Sequence, residues 1–135
     1  MFFYESGKVN VSQKIKNNLL NGEQLTYFNN GRIKSIENYV DGERQDSAFY
    51  YFKNRQLKRV GVFKDDFYTG YWLSYYQHGS LKQKGIYDDG NPMGDWFFYD
   101  KKERLQFIIS YEFGEKKKLV EYTPKNQEII RIEQY

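Results

Sequence analysis

A spacing of 24 residues runs the length of this chain without a slip. It joins Gly7, Gly31, Arg55, Gly79, Glu103 and Gln127 at one phase. The same step joins Val9, Ile33, Leu57, Leu81, Leu105 and Ile129 at a second phase, and Ile15, Tyr39, Phe63, Tyr87, Tyr111 and Tyr135 at a third. Six chemically similar residues at two of these phases, with no insertion in 135 residues, define a repeat protein. In such a chain each unit buries its apolar face only against its neighbours, so the molecule grows along one direction instead of around a central core.

The best-preserved unit, Gly70 to Gly94, shows what is being repeated. An aromatic run (Tyr71, Trp72, Tyr75, Tyr76) meets a turn signal at His78-Gly79, and a second run from Leu81 to Tyr87 meets another at Asp89-Gly90. Runs separated in this way form a β-hairpin and a connection to the next hairpin. Aromatic residues make up 20% of the chain, with 14 Tyr and 11 Phe, which favours strands. Aliphatic residues are too scarce for a thick two-layer core. With His78-Gly79 as a two-residue loop, Tyr76 faces Leu81, Ser74 faces Gln83, Trp72 faces Gly85 and Gly70 faces Tyr87. A three-residue loop with a bulge would shift that register by one. The pairing sets large aromatics across from strand glycines whose gaps they cover, with Ala48 opposite Gly61 as a weaker copy. The expected fold is all-β: a single repeat domain over residues 1–135, built as an elongated, twisted antiparallel sheet of about five and a half tandem hairpins. Both terminal units are atypical, as caps are.

The units differ in their details. The first is cut short in its first strand, Met1-Phe2-Phe3-Tyr4 corresponding to Leu25-Thr26-Tyr27-Phe28, and its second half is polar. The third replaces the turn glycine by Arg55, with Asn54 before it able to tolerate a left-handed backbone. The fifth has Lys102-Glu103 at the turn, which predicts a longer or less regular tip. The sixth carries Pro124 near the end of its first strand.

The pattern Gly70-x-Trp72-x-x-Tyr75-Tyr76-x-x-Gly79-x-Leu81-x-x-x-Gly85-x-Tyr87-x-x-Gly90 is echoed at Gly94-x-Trp96-x-x-Tyr99 and at Tyr27-Phe28-x-x-Gly31-x-Ile33. Over essentially the whole chain it resembles the MORN-repeat variant of bacterial proteins called YwqK-type antitoxins. It departs from the commoner MORN pattern in having fewer glycines, and the third, fifth and sixth units lack the turn glycine. The resemblance implies a row of hairpins acting as an interaction surface, in an antitoxin- or immunity-like role toward a protein partner such as a toxin. Eukaryotic MORN proteins are associated with membranes, phospholipids and scaffolding, so the resemblance also implies an alternative, peripheral binding of anionic phospholipid headgroups.

The residues themselves offer little to an enzyme. The chain has no cysteine, which excludes a disulfide framework, a thiolate zinc site and a cysteine nucleophile. Its one histidine, His78, reads as a solvated turn residue around which no catalytic or metal-binding set assembles. Asp41, Asp65, Asp88 and Asp89 fall in the connections, where Asp-Gly is ordinary turn chemistry, and Asp88 to Asn91 lacks the ligand spacing of a calcium loop. The expectation is a non-enzymatic protein without cofactor or metal. A net charge of +3 falls short of arguing for nucleic acid. The sequence shows no signal peptide and no membrane span, which favours a cytoplasmic location. Lys34, Lys58 and Lys82 share one phase, and Tyr27, Tyr51, Tyr75 and Tyr99 share another, with Tyr75 placed opposite Lys82. Such a ladder, stepping about 10 Å per unit, suits an acidic protein surface, lipid headgroups or a single strand of nucleic acid, and its aromatics could stack sugars. A solvated face whose lysines prevent aggregation has the same composition. These lysines and tyrosines are the expected partner-binding residues.

Overall fold

The computed structural model of the chain describes residues 2–3 and 8–135, and among these there is no helix. The strands are β1 (Phe2–Phe3), β2 (Val9–Ser12), β3 (Ile15–Lys16), β4 (Leu19–Leu20), β5 (Gly22–Tyr27), β6 (Ile33–Val40), β7 (Glu43–Arg44) and β8 (Asp46–Tyr51). They continue as β9 (Leu57–Lys64), β10 (Phe67–Tyr75), β11 (Leu81–Asp88), β12 (Asn91–Tyr99), β13 (Leu105–Glu112), β14 (Glu115–Tyr122) and β15 (Ile129–Gln134). From β1 through β2, β5, β6 and β8 to β15, consecutive strands pair antiparallel in a single open sheet, which is not closed into a barrel; β7 pairs with the far end of β6. The expected row of hairpins is therefore the fold.

Two kinds of turn alternate along it. The connections are two-residue turns with both residues left-handed: Asp41-Gly42, Asp65-Asp66, Asp89-Gly90 and Phe113-Gly114. That geometry matches the right-handed twist of the strands it joins. The hairpin tips are longer than the two-residue loop expected for them. Tyr76 N donates to Ser80 O at 2.8 Å and Gly79 N to Tyr76 O at 2.9 Å, so Gln77, His78 and Gly79 form a three-residue loop and Tyr76 faces Ser80, not Leu81. One bulge per hairpin then restores the register. Tyr75 pairs with Leu81 while Ser74 pairs with Gln83, and Trp72 opposite Gly85 and Gly70 opposite Tyr87 follow as expected. The residue left over is Lys82.

The same pair of tip hydrogen bonds recurs at Phe28 to Arg32, Phe52 to Gln56 and Asp100 to Arg104. The fifth tip is thus as regular as the others, contrary to expectation, because Asp100 Oδ1 accepts from the backbone of Lys102 at 2.9 Å and Arg104 at 3.0 Å. In the third unit the left-handed residue is Arg55 itself, with φ of 75°. Asn54 does not take that conformation; its side chain accepts from Gln56 N at 3.0 Å. A non-glycine residue held there costs about 1 kcal/mol or more. Arg55→Gly should therefore stabilise the protein by about 1 kcal/mol and raise its melting temperature by a few degrees in a thermal scan followed by circular dichroism.

The first unit is the irregular one. Gly7 lies outside the described residues. β1 is a two-residue remnant that pairs with β2. The polar stretch after β2 folds into a side hairpin, β3 with β4, around Asn17-Asn18, both left-handed.

The core lies on one face of the sheet. Ala48, Phe63, Trp72 and Trp96 are buried, with Tyr50, Tyr68, Tyr87, Phe98 and Tyr111 packed on them. The tryptophans cover glycines as expected, but each covers a glycine of the preceding hairpin. The ring of Trp72 lies over Gly61, and that of Trp96 lies over Gly85. Trp72 Nε1 also donates to Val62 O at 3.1 Å. Each indole thus welds one unit to the next, and the core is a row instead of a layer.

Candidate interaction surface

The bulge that follows each tip decides where the lysine row sits. Lys34, Lys58 and Lys82 are each the extra residue between two paired neighbours, since Tyr27, Tyr51 and Tyr75 pair with Ile33, Leu57 and Leu81. Tyr75 therefore does not face Lys82, contrary to expectation. Each lysine instead lies over the aromatic ring one position later: Lys34 Nζ is 5.9 Å from the centre of Phe28, Lys58 Nζ 5.6 Å from Phe52, and Lys82 Nζ 5.7 Å from Tyr76. The expected row of facing tyrosines and lysines is a row of stacked pairs formed with a different set of rings. Of the expected tyrosines, Tyr75 borders one recess together with Ser74, Lys58 and Lys82, and Tyr27 borders another with Thr26 and Lys34. Tyr51 lines a shallow hollow with Ile33, Arg32 and Arg55. At the fifth unit the lysine phase is occupied by Gln106, and Tyr99 pairs with Leu105.

The tips are laced to one another. Arg32 Nη1 donates to Lys53 O at 2.8 Å, Asn54 Nδ2 to Gln77 O at 3.1 Å, and the Tyr76 hydroxyl to Tyr99 O at 2.7 Å. His78 belongs to this lacing: its Nε2 lies 2.7 Å from Ser80 Oγ and 3.0 Å from Lys101 O. It bridges two tips, which is a structural role the sequence did not suggest.

The two long sides of the sheet carry opposite charge. The four tip segments, 28–34, 52–58, 76–82 and 100–106, hold nine basic and two acidic residues, whereas the connections 40–46, 64–70, 88–94 and 112–118 hold nine acidic and five basic ones. On the acidic side, Arg44 is bound by Asp66 at 2.5 Å and lies 4.2 Å from the centre of the Phe63 ring.

Between the lysine row and the core lies a residue that the repeat does not predict, Arg59. It pairs with Tyr50 on one neighbouring strand and Ser74 on the other. Its guanidinium carbon is 4.7 Å from the centre of the Tyr50 ring, 5.1 Å from Trp72 and 5.7 Å from Tyr68. Arg44, Arg104 and Arg131 each hold a carboxylate; Arg59 holds none among the described residues. The acid nearest in sequence register, Glu37, is already engaged: it accepts from the Tyr50 hydroxyl at 2.5 Å and from that of Tyr39 at 3.3 Å. Burial, followed by the hydrogen bond to Glu37, pushes the Tyr50 phenol well above its ordinary range. Burial and the charge of Glu37 push Tyr39 up to about 12, so both stay protonated donors at neutral pH. The recess above Arg59 has a volume of about 350 Å³ and is bordered by Tyr50, Phe52, Lys58, Ser74, Tyr75, Lys82 and Gln83, with no acidic residue in its lining.

No protein-family model matches the sequence, and no curated protein matches it. Among solved structures, a chain in the crystal structure of the GtfA/B complex bound to UDP and GlcNAc is similar at 12% identity over 93% of this chain, with a TM-score of 0.33. This chain spans 24% of the length of that one, and a likeness at that level carries no conclusion about activity.

Proposed function

We propose that the chain is a non-enzymatic protein-interaction module, antitoxin- or immunity-like, that holds a protein partner through the tip side of its sheet. One observation carries this reading: the sheet is open, and one long side of it is basic, with its lysines set on aromatic rings. Aromatic and arginine side chains are enriched at interface hot spots because they bury much area at low entropic cost. Here aromatic rings, each with a lysine over it, stand in register along several units, in the kind of hairpin row that the MORN-variant resemblance implies. Tyr75 and Tyr99 give the partner further aromatic area. The test is binding of the purified chain to the purified products of its neighbouring genes. A partner is expected that binds the wild-type chain and loses affinity by about tenfold or more when Tyr75 and Tyr99 are both changed to alanine. If no neighbouring product binds, or if one binds the double variant equally well, the reading fails.

A further inference from the structure

We infer that the recess over Arg59 is a carboxylate-binding pocket, and that its ligand is an acidic side chain on an extended segment of a polypeptide partner. The inference rests on the reading of the chain as a protein-binding module and specifies what that module recognises. The guanidinium of Arg59 lies against the rings of Tyr50, Trp72 and Tyr68, contacts that use none of its hydrogen-bond donors. None of the Arg59 guanidinium, the Ser74 hydroxyl and the Gln83 amide has a hydrogen-bond partner among the described residues. All three border one cavity of about 350 Å³ together with Lys58, Lys82, Phe52 and Tyr75. A planar fork with free donors, in a recess lined by two lysines and no acidic residue, matches the two oxygens of a carboxylate. The volume lies at the small end for ligand pockets and suits one projecting side chain.

The surroundings favour a polypeptide over a membrane. The tip loops 29–32, 53–56, 77–80 and 101–104 carry no large apolar side chain that could enter a bilayer, and the rings beneath Arg59 are packed into the core. Lys34, Lys58 and Lys82 recur every second strand, about 10 Å apart. A peptide in the extended polyproline II conformation, laid across the strands, advances by about the same distance in three residues and brings every third side chain back to the same face. Acidic residues at every third position would therefore meet successive lysine phases while one of them enters the pocket.

The experiment titrates the whole chain with a synthetic peptide that has glutamate at every third position and glycine or serine between, following tryptophan fluorescence at low and at physiological salt. Trp72 touches the guanidinium, so the Trp72 share of the two-tryptophan signal reports on the site. Saturable binding is expected, weakened by salt as screening requires, and absent for the same peptide with glutamine in place of glutamate. Two variants locate the site. Arg59→Met keeps the aliphatic fill over the rings and should weaken binding by about tenfold or more. Gln83→Glu leaves the core alone and supplies Arg59 with an internal carboxylate; it should abolish peptide binding while its melting temperature stays the same or rises. No saturation at low salt, or undiminished binding by Gln83→Glu, overturns the pocket. Inorganic phosphate or phosphatidylserine vesicles that bind at Arg59 while the peptide fails to displace them overturn the polypeptide assignment. A neighbouring-gene product that binds wild type and Gln83→Glu equally leaves the module standing and removes the pocket, whereas failure of every product to bind wild type removes the module.

Discussion

Gly85→Ala is expected to unfold much of the protein at room temperature, and Gly61→Ala to do nearly as much. A methyl group on Gly85 would lie 2.0 Å from Cδ2 of Trp96, and one on Gly61 would lie 2.0 Å from Cδ2 of Trp72. Overpacking commonly costs about 1–3 kcal/mol when the obstructing atoms can move aside. Here they belong to the fused centre of an indole that is 4% exposed in one case and 3% in the other, with a sheet on one side and other rings around it. Displacing the ring also exposes the apolar area that joins two hairpins, so the cost should reach about 3–5 kcal/mol. Gly31→Ala is the control. A Cβ there meets nothing within 4 Å, and only the left-handed backbone, φ of 85°, charges it about 1 kcal/mol. Urea titrations of the three variants should separate them by midpoint. Adding Trp96→Leu to Gly85→Ala should return part of the loss, a coupling that only contacting residues show. Equal destabilisation by Gly85→Ala and Gly31→Ala would mean that the tryptophan does not sit on the glycine.

The period made the architecture legible, and the register with it: Trp72 opposite Gly85 follows from counting outward from the turn. What counting could not reach were properties that lie between hairpins. Which glycine an indole covers depends on how far its side chain leans across the sheet and on how each connection strand is bent. That bend comes from Gly70 and Gly94, at φ of 63° and 67° inside strands, where extra residues break the pairing to the preceding strand. Loop length was undecided because a His-Gly dipeptide fits both a two-residue turn and the end of a three-residue loop with a bulge. The bulge residue then swings the lysines over Phe28, Phe52 and Tyr76. The charge sorting was present in the sequence, since the turn phases alternate between basic and acidic segments. Arg59 was hidden for the opposite reason. A search for recurring residues passes over it, because its phase reads Ser35, Arg59, Gln83, Phe107 and Arg131. In a repeat protein the regular positions build the scaffold, and a position where regularity lapses without a structural cause is where recognition should be sought.

The second large effect is expected from Trp72→Ala, and it concerns cooperativity as much as stability. The indole touches Tyr50 and Phe63 in the third unit and Tyr68 and Tyr87 on its other side, with ring centres 4.7–6.5 Å apart. Removing it costs about 3–5 kcal/mol for a buried tryptophan, together with the hydrogen bond to Val62 O. In a globular core that loss would be shared by the whole molecule. In a row whose units contact only their neighbours, it falls on one junction, and the residues C-terminal to it keep Trp96, Tyr111, Leu119 and Val120 packed. Unfolding should therefore split. With Trp72 gone, Trp96 is the one tryptophan left in the chain, so its fluorescence reports the C-terminal hairpins alone while circular dichroism reports the whole sheet. The dichroism transition should begin at a lower urea concentration than the fluorescence transition, whereas in the wild-type chain the two should run closer together. Coincident transitions in Trp72→Ala would show that the sheet is held by something longer-ranged than the contact between one hairpin and the next.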